Sequence, residues 1–117
     1  ETRAWSRKFF EKMKRMPSSI QAGDYSAVTQ YLAAVKATGS DDPDKVLAQM
    51  KKTKVNDIFA KGGFIRDDGR MVHDMYLMQV KTPDKSVEPW DYYNVVQTFK
   101  GEEAWTTKAE SKCAAWK

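Results

Sequence analysis

The segment from Gly62 to Val80 constrains the fold of this 117-residue chain more than any other part of it. It reads as a short strand, a tight Asp-Gly turn and a long second strand. The second strand carries apolar residues on both of its faces, with Val72, Tyr76, Met78 and Val80 on one face and Met75 and Leu77 on the other. A strand of this kind has to be covered on both sides, which is typical of the sheets of layered α/β proteins.

Two helices are predicted in the first third of the chain. The first runs from Thr2 to about Arg15, where aromatic residues and methionines recur at helical spacing opposite a row of basic residues. The second begins near Asp24, which fits a helix cap, and ends at Gly39. Each of these helices would present one apolar face to a core.

A third helix has the clearest start signal, with Asp42 as its cap and Pro43 at its first helical position. Residues 56–60 are predicted to add a further helical turn. After the Gly62–Val80 segment, residues Tyr92 to Phe99 are predicted to form a third strand, followed by a polar tail. The predicted fold class is therefore α/β, with helices followed by two or three strands. A sheet of that size is marginal on its own.

The charge balance is modestly basic, because 20 Lys and Arg residues are interleaved with 16 Asp and Glu residues. A nucleic-acid-binding protein usually concentrates its positive charge on one face. The first predicted helix is the best case for such a face, but its aromatic residues lie on the stripe that the core needs. We therefore expect no nucleic-acid partner. The alternative that stays open is a small basic α+β module that binds nucleic acid or a protein partner.

Cys113 is the only cysteine, so it cannot form a disulfide within this sequence. It is either an unpaired surface thiol or half of a disulfide whose partner lies upstream, and the second reading implies an oxidising compartment. The first residue is Glu1 rather than Met, and no signal peptide is recognisable. We expect the sequence to start inside a larger protein or to follow a processing site.

No constellation of residues in the sequence supports catalysis or metal binding. His73 is the only histidine, and a single histidine without a neighbouring cysteine or second histidine is rarely a metal site. The acidic pairs 41–42, 67–68 and 102–103 are predicted to lie at a helix cap, in the Asp-Gly turn and in a polar loop. We therefore expect no catalytic residue, no metal ion and no cofactor, and hence no enzyme.

The stretch from Ser18 to Tyr25, which leads into the second helix, is the best candidate for ligand binding. Its small residues keep the backbone accessible, and the N-terminus of a helix offers free N–H groups and a partial positive charge to an anion. A small molecule that carries a carboxylate would suit this place. An ordinary connecting loop is the alternative reading.

Three motifs follow one another along the chain: F-F-E-K…M-P-S-S-I-Q-A-G-D-Y-S-A-V, then D-D-P-D-K-V, then G-G-F-I-R-D-D-G-R-M-V-H-D-M-Y-L-M-Q-V-K. In this order they resemble the C-terminal part of ABC-transporter solute-binding proteins. The most similar group is the branched-chain amino-acid type, which has type I periplasmic topology. The resemblance covers Thr2 to Lys81, and the tail is compatible with it.

The resemblance implies a fragment of a two-lobed protein that closes on a small solute. Residues 1–72 would contribute to the first lobe, and residues 73–117 would form the crossover strand and complete the second lobe. The last crossing between the lobes would lie at Val72 and His73, which are the expected hinge residues. The missing N-terminal part of the same protein would supply the other strands of the sheet and the residues that grip the charged end of the ligand.

By position in the family, the expected ligand-binding residues are Ile20, Gln21, Ala22 and Tyr25. The resemblance implies a periplasmic protein that performs no covalent chemistry, and its expected partners are a small-molecule solute and the membrane permease of an ABC transporter. Amino acids, amides and aromatic carboxylates are all candidate solutes. A ligand-sensing receptor or regulator domain on the same fold is a further alternative, because a fold does not determine a function.

Overall fold

The computed structural model describes residues 1–114 and 116. The elements in chain order are α1 (Thr2–Met13), α2 (Ser19–Thr38), α3 (Pro43–Lys52), β1 (Val55–Asn56), β2 (Lys61–Ile65), β3 (Met71–Val72), β4 (Met75–Val80), a single 3-10 turn (Pro83–Lys85), β5 (Tyr93–Phe99) and α4 (Gly101–Ala104). The strands form two separate antiparallel sheets, one with the order β1-β2-β3 and one that pairs β4 with β5. The predicted order of helices followed by strands is confirmed.

The helix ends follow the local chemistry of the chain. Helix α1 ends at Met13, two residues earlier than predicted, because Lys14 adopts a left-handed conformation with φ of 55°. The predicted cap of α3 is confirmed, since the N–H of Lys45 donates to Oδ1 of Asp42 at 3.0 Å. Helix α2 ends at Gly39, as predicted, with φ of 63°.

The predicted start of α2 near Asp24 is wrong, because the helix begins at Ser19. Ser18 caps it: its hydroxyl accepts the N–H of Ile20 at 3.2 Å, and its own N–H donates to Oε1 of Gln21 at 2.8 Å. This is a capping box in which glutamine takes the reciprocal position. Gly23 lies inside the helix, and a Cβ at this position would stand 3.7 Å from the ring of Phe59, which is an ordinary van der Waals contact.

The helical turn predicted for residues 56–60 is absent, because β1 and a tight turn occupy this stretch. Oδ1 of Asp57 accepts the N–H groups of Phe59 at 2.9 Å and of Ala60 at 3.1 Å, which holds the turn without any helical hydrogen bonds. Val55, just before the turn, is buried and pairs with Gly63 of β2. The acidic pair 102–103, predicted in a loop, lies instead in the short helix α4.

The long strand predicted up to Val80 is in fact two strands in different sheets. β3 pairs with β2, placing Val72 opposite Phe64, whereas β4 pairs with β5. The chain leaves the first sheet at His73, whose carbonyl oxygen accepts the indole N–H of Trp105 at 3.0 Å instead of a strand partner. Apolar residues stand on both sides of this break, at Val72 and Met75, so the sequence was interpreted as one continuous strand.

Every buried residue in the described part of the chain lies between Ser26 and Val72. The buried apolar residues are Ala34, Val46, Val55, Ala60 and Val72. The core therefore lies between α2, α3 and the three-stranded sheet. All residues of β4 and β5 are exposed. None of the described helices is both long enough and apolar enough to cross a membrane.

Candidate functional site

The four predicted ligand-binding residues lie together on the first two turns of α2. Ile20 is 70% exposed, Gln21 and Ala22 are half-buried, and the ring of Tyr25 packs against Trp5 of α1 with a centroid distance of 5.4 Å. The structure thus brings these side chains to one helix end, although the sequence predicted a loop there. Their contact with a solute stays a prediction.

Gln21 also takes part in the cap of α2. Its Oε1 accepts the N–H of Ser18 at 2.8 Å and the hydroxyl of Ser18 at 2.6 Å. Among the hydrogen bonds of the described residues, none uses the amide nitrogen of Gln21, so that group is left as a donor. The carboxylate of a small molecule is a natural acceptor for it.

Asp57 ties the middle of α2 to the turn before β2. Its Oδ2 accepts the hydroxyl of Ser26 at 2.6 Å and the amide of Gln30 at 3.2 Å. Burial acts to raise the pKa of Asp57, but the hydrogen bonds from Ser26 and from the N–H groups of Phe59 and Ala60 outweigh it, and the pKa lies below its usual value. This carboxylate therefore stays ionised and holds α2 in place.

Helix α1 contacts the loop that joins β4 to β5. Glu88 in this loop lies 3.7 Å from the guanidinium of Arg3 and 3.2 Å from that of Arg7. The ring of Phe10 packs against Trp90 with a centroid distance of 5.0 Å, and Trp90 adopts a left-handed φ of 68°, which is uncommon for a bulky residue. Side chains of α1 therefore contact this loop through ion pairs to Glu88 and through one aromatic pair.

The same loop is fixed from within by an ion pair. Nζ of Lys81 lies 2.7 Å from Oδ2 of Asp91, and both side chains are largely buried. This lysine, together with the N–H of Val87, holds the pKa of Asp91 below its usual value.

The predicted hinge residues lie where the first sheet ends and the second begins. Val72 is 2% exposed at the end of β3, and the ring of His73 lies between Phe59, at 5.0 Å, and Trp105, at 5.4 Å. Oδ2 of Asp74 accepts the ammonium of Lys100 at 2.9 Å, and this bond lowers the pKa of Asp74. The packing of Trp105 and Lys100 on this crossing is a contact that the sequence pattern did not predict.

Two cavities lie away from the four predicted residues. The larger, of about 750 Å³, is enclosed by α2, the β2–β3 hairpin and the tail, with Gly23, Ser26, Arg66, His73, Trp105 and Glu110 among its walls. The smaller, of about 350 Å³, lies between α1 and the loop before β5. The described residues contain no group of three or more His, Cys, Asp or Glu side chains that could hold a metal ion.

The chain is similar to two solved bacterial structures. One is a periplasmic binding protein from Burkholderia mallei, which is 63% identical with a TM-score of 0.94, over 98% of this chain and 30% of that chain. The other is a branched chain amino acid ABC transporter periplasmic ligand-binding protein from Burkholderia xenovorans LB400. It is 47% identical with a TM-score of 0.92, over 98% of this chain and 31% of that chain.

This chain therefore spans less than a third of the length of either structure. No curated protein sequence matches it. Residues 1–86 match the family model described as periplasmic binding protein. The resemblance in the sequence motifs is thus confirmed, and the chain corresponds to a fragment of the type I periplasmic binding fold. The chain belongs to the periplasmic binding protein family.

Proposed function

We propose that this chain works as part of the solute-binding component of an ABC importer in the periplasm. In this role the complete protein captures a small solute that carries a carboxylate, such as an amino acid, an amide or an aromatic acid, and presents it to a membrane permease. It performs no covalent chemistry. The observation that carries the proposal is the 47% identity, over 98% of this chain, to a protein described as a branched chain amino acid ABC transporter ligand-binding protein.

Capture would proceed by closure of two lobes about a hinge. In the proposed division, residues 1–72 contribute to the first lobe, residues 73–117 to the second, and Val72 and His73 lie at the hinge. The separation of the strands into two sheets that meet at this point supports the division. A solute that binds the closed form better than the open form shifts the population toward closure.

The start of α2 would supply the contacts of the first lobe. Its backbone N–H groups and its partial positive charge favour an anion, and the free amide of Gln21 adds a directed donor. Ile20, Ala22 and Tyr25 would surround the apolar part of the solute. The half-exposed rings of Tyr25 and Trp5, in contact with each other, support an apolar wall beside the donor.

A thermal-shift screen of the complete two-lobed protein that contains this sequence tests the proposal. The panel holds branched-chain amino acids, amides and aromatic carboxylates, with duplex DNA as a control. A solute at 100 times its dissociation constant adds about 2.7 kcal/mol to stability, which raises the melting temperature by some degrees. If no solute raises the melting temperature but duplex DNA does, the alternative of a small basic module that binds nucleic acid is favoured instead.

The role of Gln21 is tested by two matched variants. We expect Gln21→Ala to weaken binding of the solute found in the screen by about tenfold, the loss of one hydrogen bond to a charged group. Ser18→Ala serves as the control, because it damages the same helix cap and leaves the amide of Gln21 in place. Calorimetry that finds equal dissociation constants for Gln21→Ala and Ser18→Ala would assign Gln21 to the cap alone.

A further inference from the structure

The chain passes the crossing at His73 a second time after β5 ends. The N–H of Gly101 donates to Oδ1 of Asp74 at 3.0 Å, and the ammonium of Lys100 binds the other oxygen of the same carboxylate at 2.9 Å. Two consecutive residues of the returning segment are therefore bonded to the residue that begins the second sheet. Asp74 therefore connects the segment that leaves the first sheet after β3 with the segment that returns after β5.

The returning chain packs closely against the outgoing one at Gly101. A Cβ at this position would lie 2.9 Å from Cγ1 of Val72, closer than real Cβ atoms approach such a neighbour. Val72 is buried, so it has little space to move away. Glycine is therefore required at position 101 by the approach of the two segments.

Trp105 holds the crossing from the other side. Its indole N–H donates to the carbonyl oxygen of His73 at 3.0 Å, and its ring packs edge-on against the imidazole of His73. The guanidinium of Arg70, at the end of the hairpin turn, lies over the same indole ring at 4.8 Å. The backbone oxygen that a continuous strand would have used is thus occupied by a side chain from the tail.

Beyond Trp105 the described part of the tail lies against the β2–β3 hairpin of the first sheet. The guanidinium of Arg66 donates to the carbonyl oxygen of Thr106 at 2.8 Å. Arg66 is itself held by Asp68 through two bonds, of 3.0 and 2.7 Å, so it is a fixed anchor. Thr106 and Glu110 form one wall of the cavity whose opposite wall is α2.

We propose that residues 100–106 are a second segment of the hinge and that Trp105 positions His73 within it. The proposal rests on the proposed function only in taking residues 72–74 as the point where the lobes meet. It changes the proposed division at one end: the chain after Trp105 returns to the first lobe, so that the second lobe receives residues 74 to about 100 from this sequence. Two of the hinge segments of the complete protein, both within this sequence, are then bonded to each other.

Bonds between two hinge segments restrict how far either segment can bend on its own. Closure onto a solute costs conformational entropy, and that cost rises with the range of open conformations that the free protein samples. Loss of the hydrogen bond and ring contact between Trp105 and His73 therefore widens the range of lobe positions in the free protein. It also weakens solute binding, although Trp105 lies away from the start of α2.

The test measures the distance between the lobes in the complete two-lobed protein without solute. One spin label is attached at a cysteine introduced by Lys52→Cys on α3, and the second at a cysteine on an exposed position of the second lobe upstream of this sequence, because the loop after β4 contacts α1. Cys113→Ser removes the native thiol. Electron-spin distance measurement then compares the unmodified hinge with Trp105→Ala, Trp105→Phe and a control, Thr107→Ala, which alters the same tail away from the crossing. We expect a broader distribution for Trp105→Ala, an intermediate one for Trp105→Phe, and no change for the control.

A distribution of unchanged width in Trp105→Ala or Trp105→Phe would overturn the proposal, since a purely structural side chain would lower the melting temperature and leave the width unaltered. If Trp105→Ala fails to fold, Trp105→Phe decides, because it keeps an aromatic ring at this position while it removes the N–H donor and reduces the size of the ring. Titration with L-leucine is a separate arm: we expect binding to weaken by roughly fivefold in Trp105→Ala. Absence of leucine binding in the unmodified protein bears on the choice of solute, whereas the distance distribution bears on the hinge.

Discussion

The two sheets of this chain are built from similar residues and yet differ completely in burial. The three-stranded sheet, with α2 and α3, encloses all buried residues that the structure describes. The β4–β5 ribbon is at least as apolar, with Met75, Leu77 and Val95 among its side chains, and none of its residues is buried. An apolar pattern therefore predicts that a strand forms, but the elements that cover it have to be found elsewhere.

The difference also shows what the ribbon lacks. An isolated two-stranded ribbon is marginally stable in water, and exposed apolar patches of this extent mark surfaces that another chain segment covers. The relatives with the same fold are more than three times as long as this chain. We therefore expect the remainder of the fold to cover both faces of the ribbon in the complete protein.

The largest expected effect comes from a charge placed on the ribbon. In the complete protein, Leu77→Asp should lower the free energy of unfolding by roughly 4 kcal/mol, because a buried carboxylate without a partner is strongly destabilising. Val87→Asp is the matched control, since Val87 is 86% exposed in the loop after β4. Urea denaturation that gives Leu77→Asp and Val87→Asp equal stabilities would show that the ribbon faces water.

A smaller effect is expected in the core that this chain already encloses. Val72→Ala should lower the free energy of unfolding by about 2 kcal/mol, through lost burial and the cavity that remains. Val87→Ala should change it by less than about 0.5 kcal/mol. If Val72→Ala is as mild as its control, the burial of Val72 beside Gly101 does not contribute to stability, and the comparison between the two sheets fails.

The smallest effect depends on pH. The folded pKa of Asp57 lies below its unfolded value, so the stability that its ionised form contributes is complete above about pH 4, the ordinary range of aspartate, and is lost as the pH falls through the folded pKa. Asp57→Asn should therefore be less stable than the unmodified protein at pH 7, and the difference should shrink toward pH 3. Asp24→Asn, at an exposed position of α2, is the control.

Urea denaturation across this pH range makes the measurement. A difference between Asp57→Asn and the unmodified protein that stays constant with pH would show that the hydrogen bonds to the turn matter and the charge does not.

Local chemistry made several elements of the fold predictable from the sequence. Asp42 and Pro43 mark the start of α3 by a cap and a preset φ, and both act within one helical turn. The Asp-Gly turn before β3 is confirmed, with Gly69 at φ of 84°. The start of α2 was missed because Gly23 suggested a linker, whereas the structure places this glycine inside the helix.

The candidate site was less accessible to sequence reasoning. The expected residues on α2 came from resemblance and not from spacing. The packing of Trp105 on His73 joins positions that are 32 residues apart, and the bond from Ser26 to Asp57 joins positions that are 31 apart. Neither contact leaves a periodic signal in the sequence, because such contacts arise from tertiary packing alone. The S-x-x-Q pattern at Ser18 is the one overlooked signal that could have been recognised.

The capping box at the start of α2 limits how this protein can evolve. The side-chain Oε1 of Gln21 completes the cap, while the amide nitrogen of the same side chain is the donor proposed for the solute. A mutation at this position that alters the preference for one solute over another therefore changes the stability of the helix at the same time. Only glutamate preserves the cap, and it would reverse the attraction for an anion. We therefore expect changes of solute preference to arise at the neighbouring positions 20 and 22, whose side chains take no part in the helix cap.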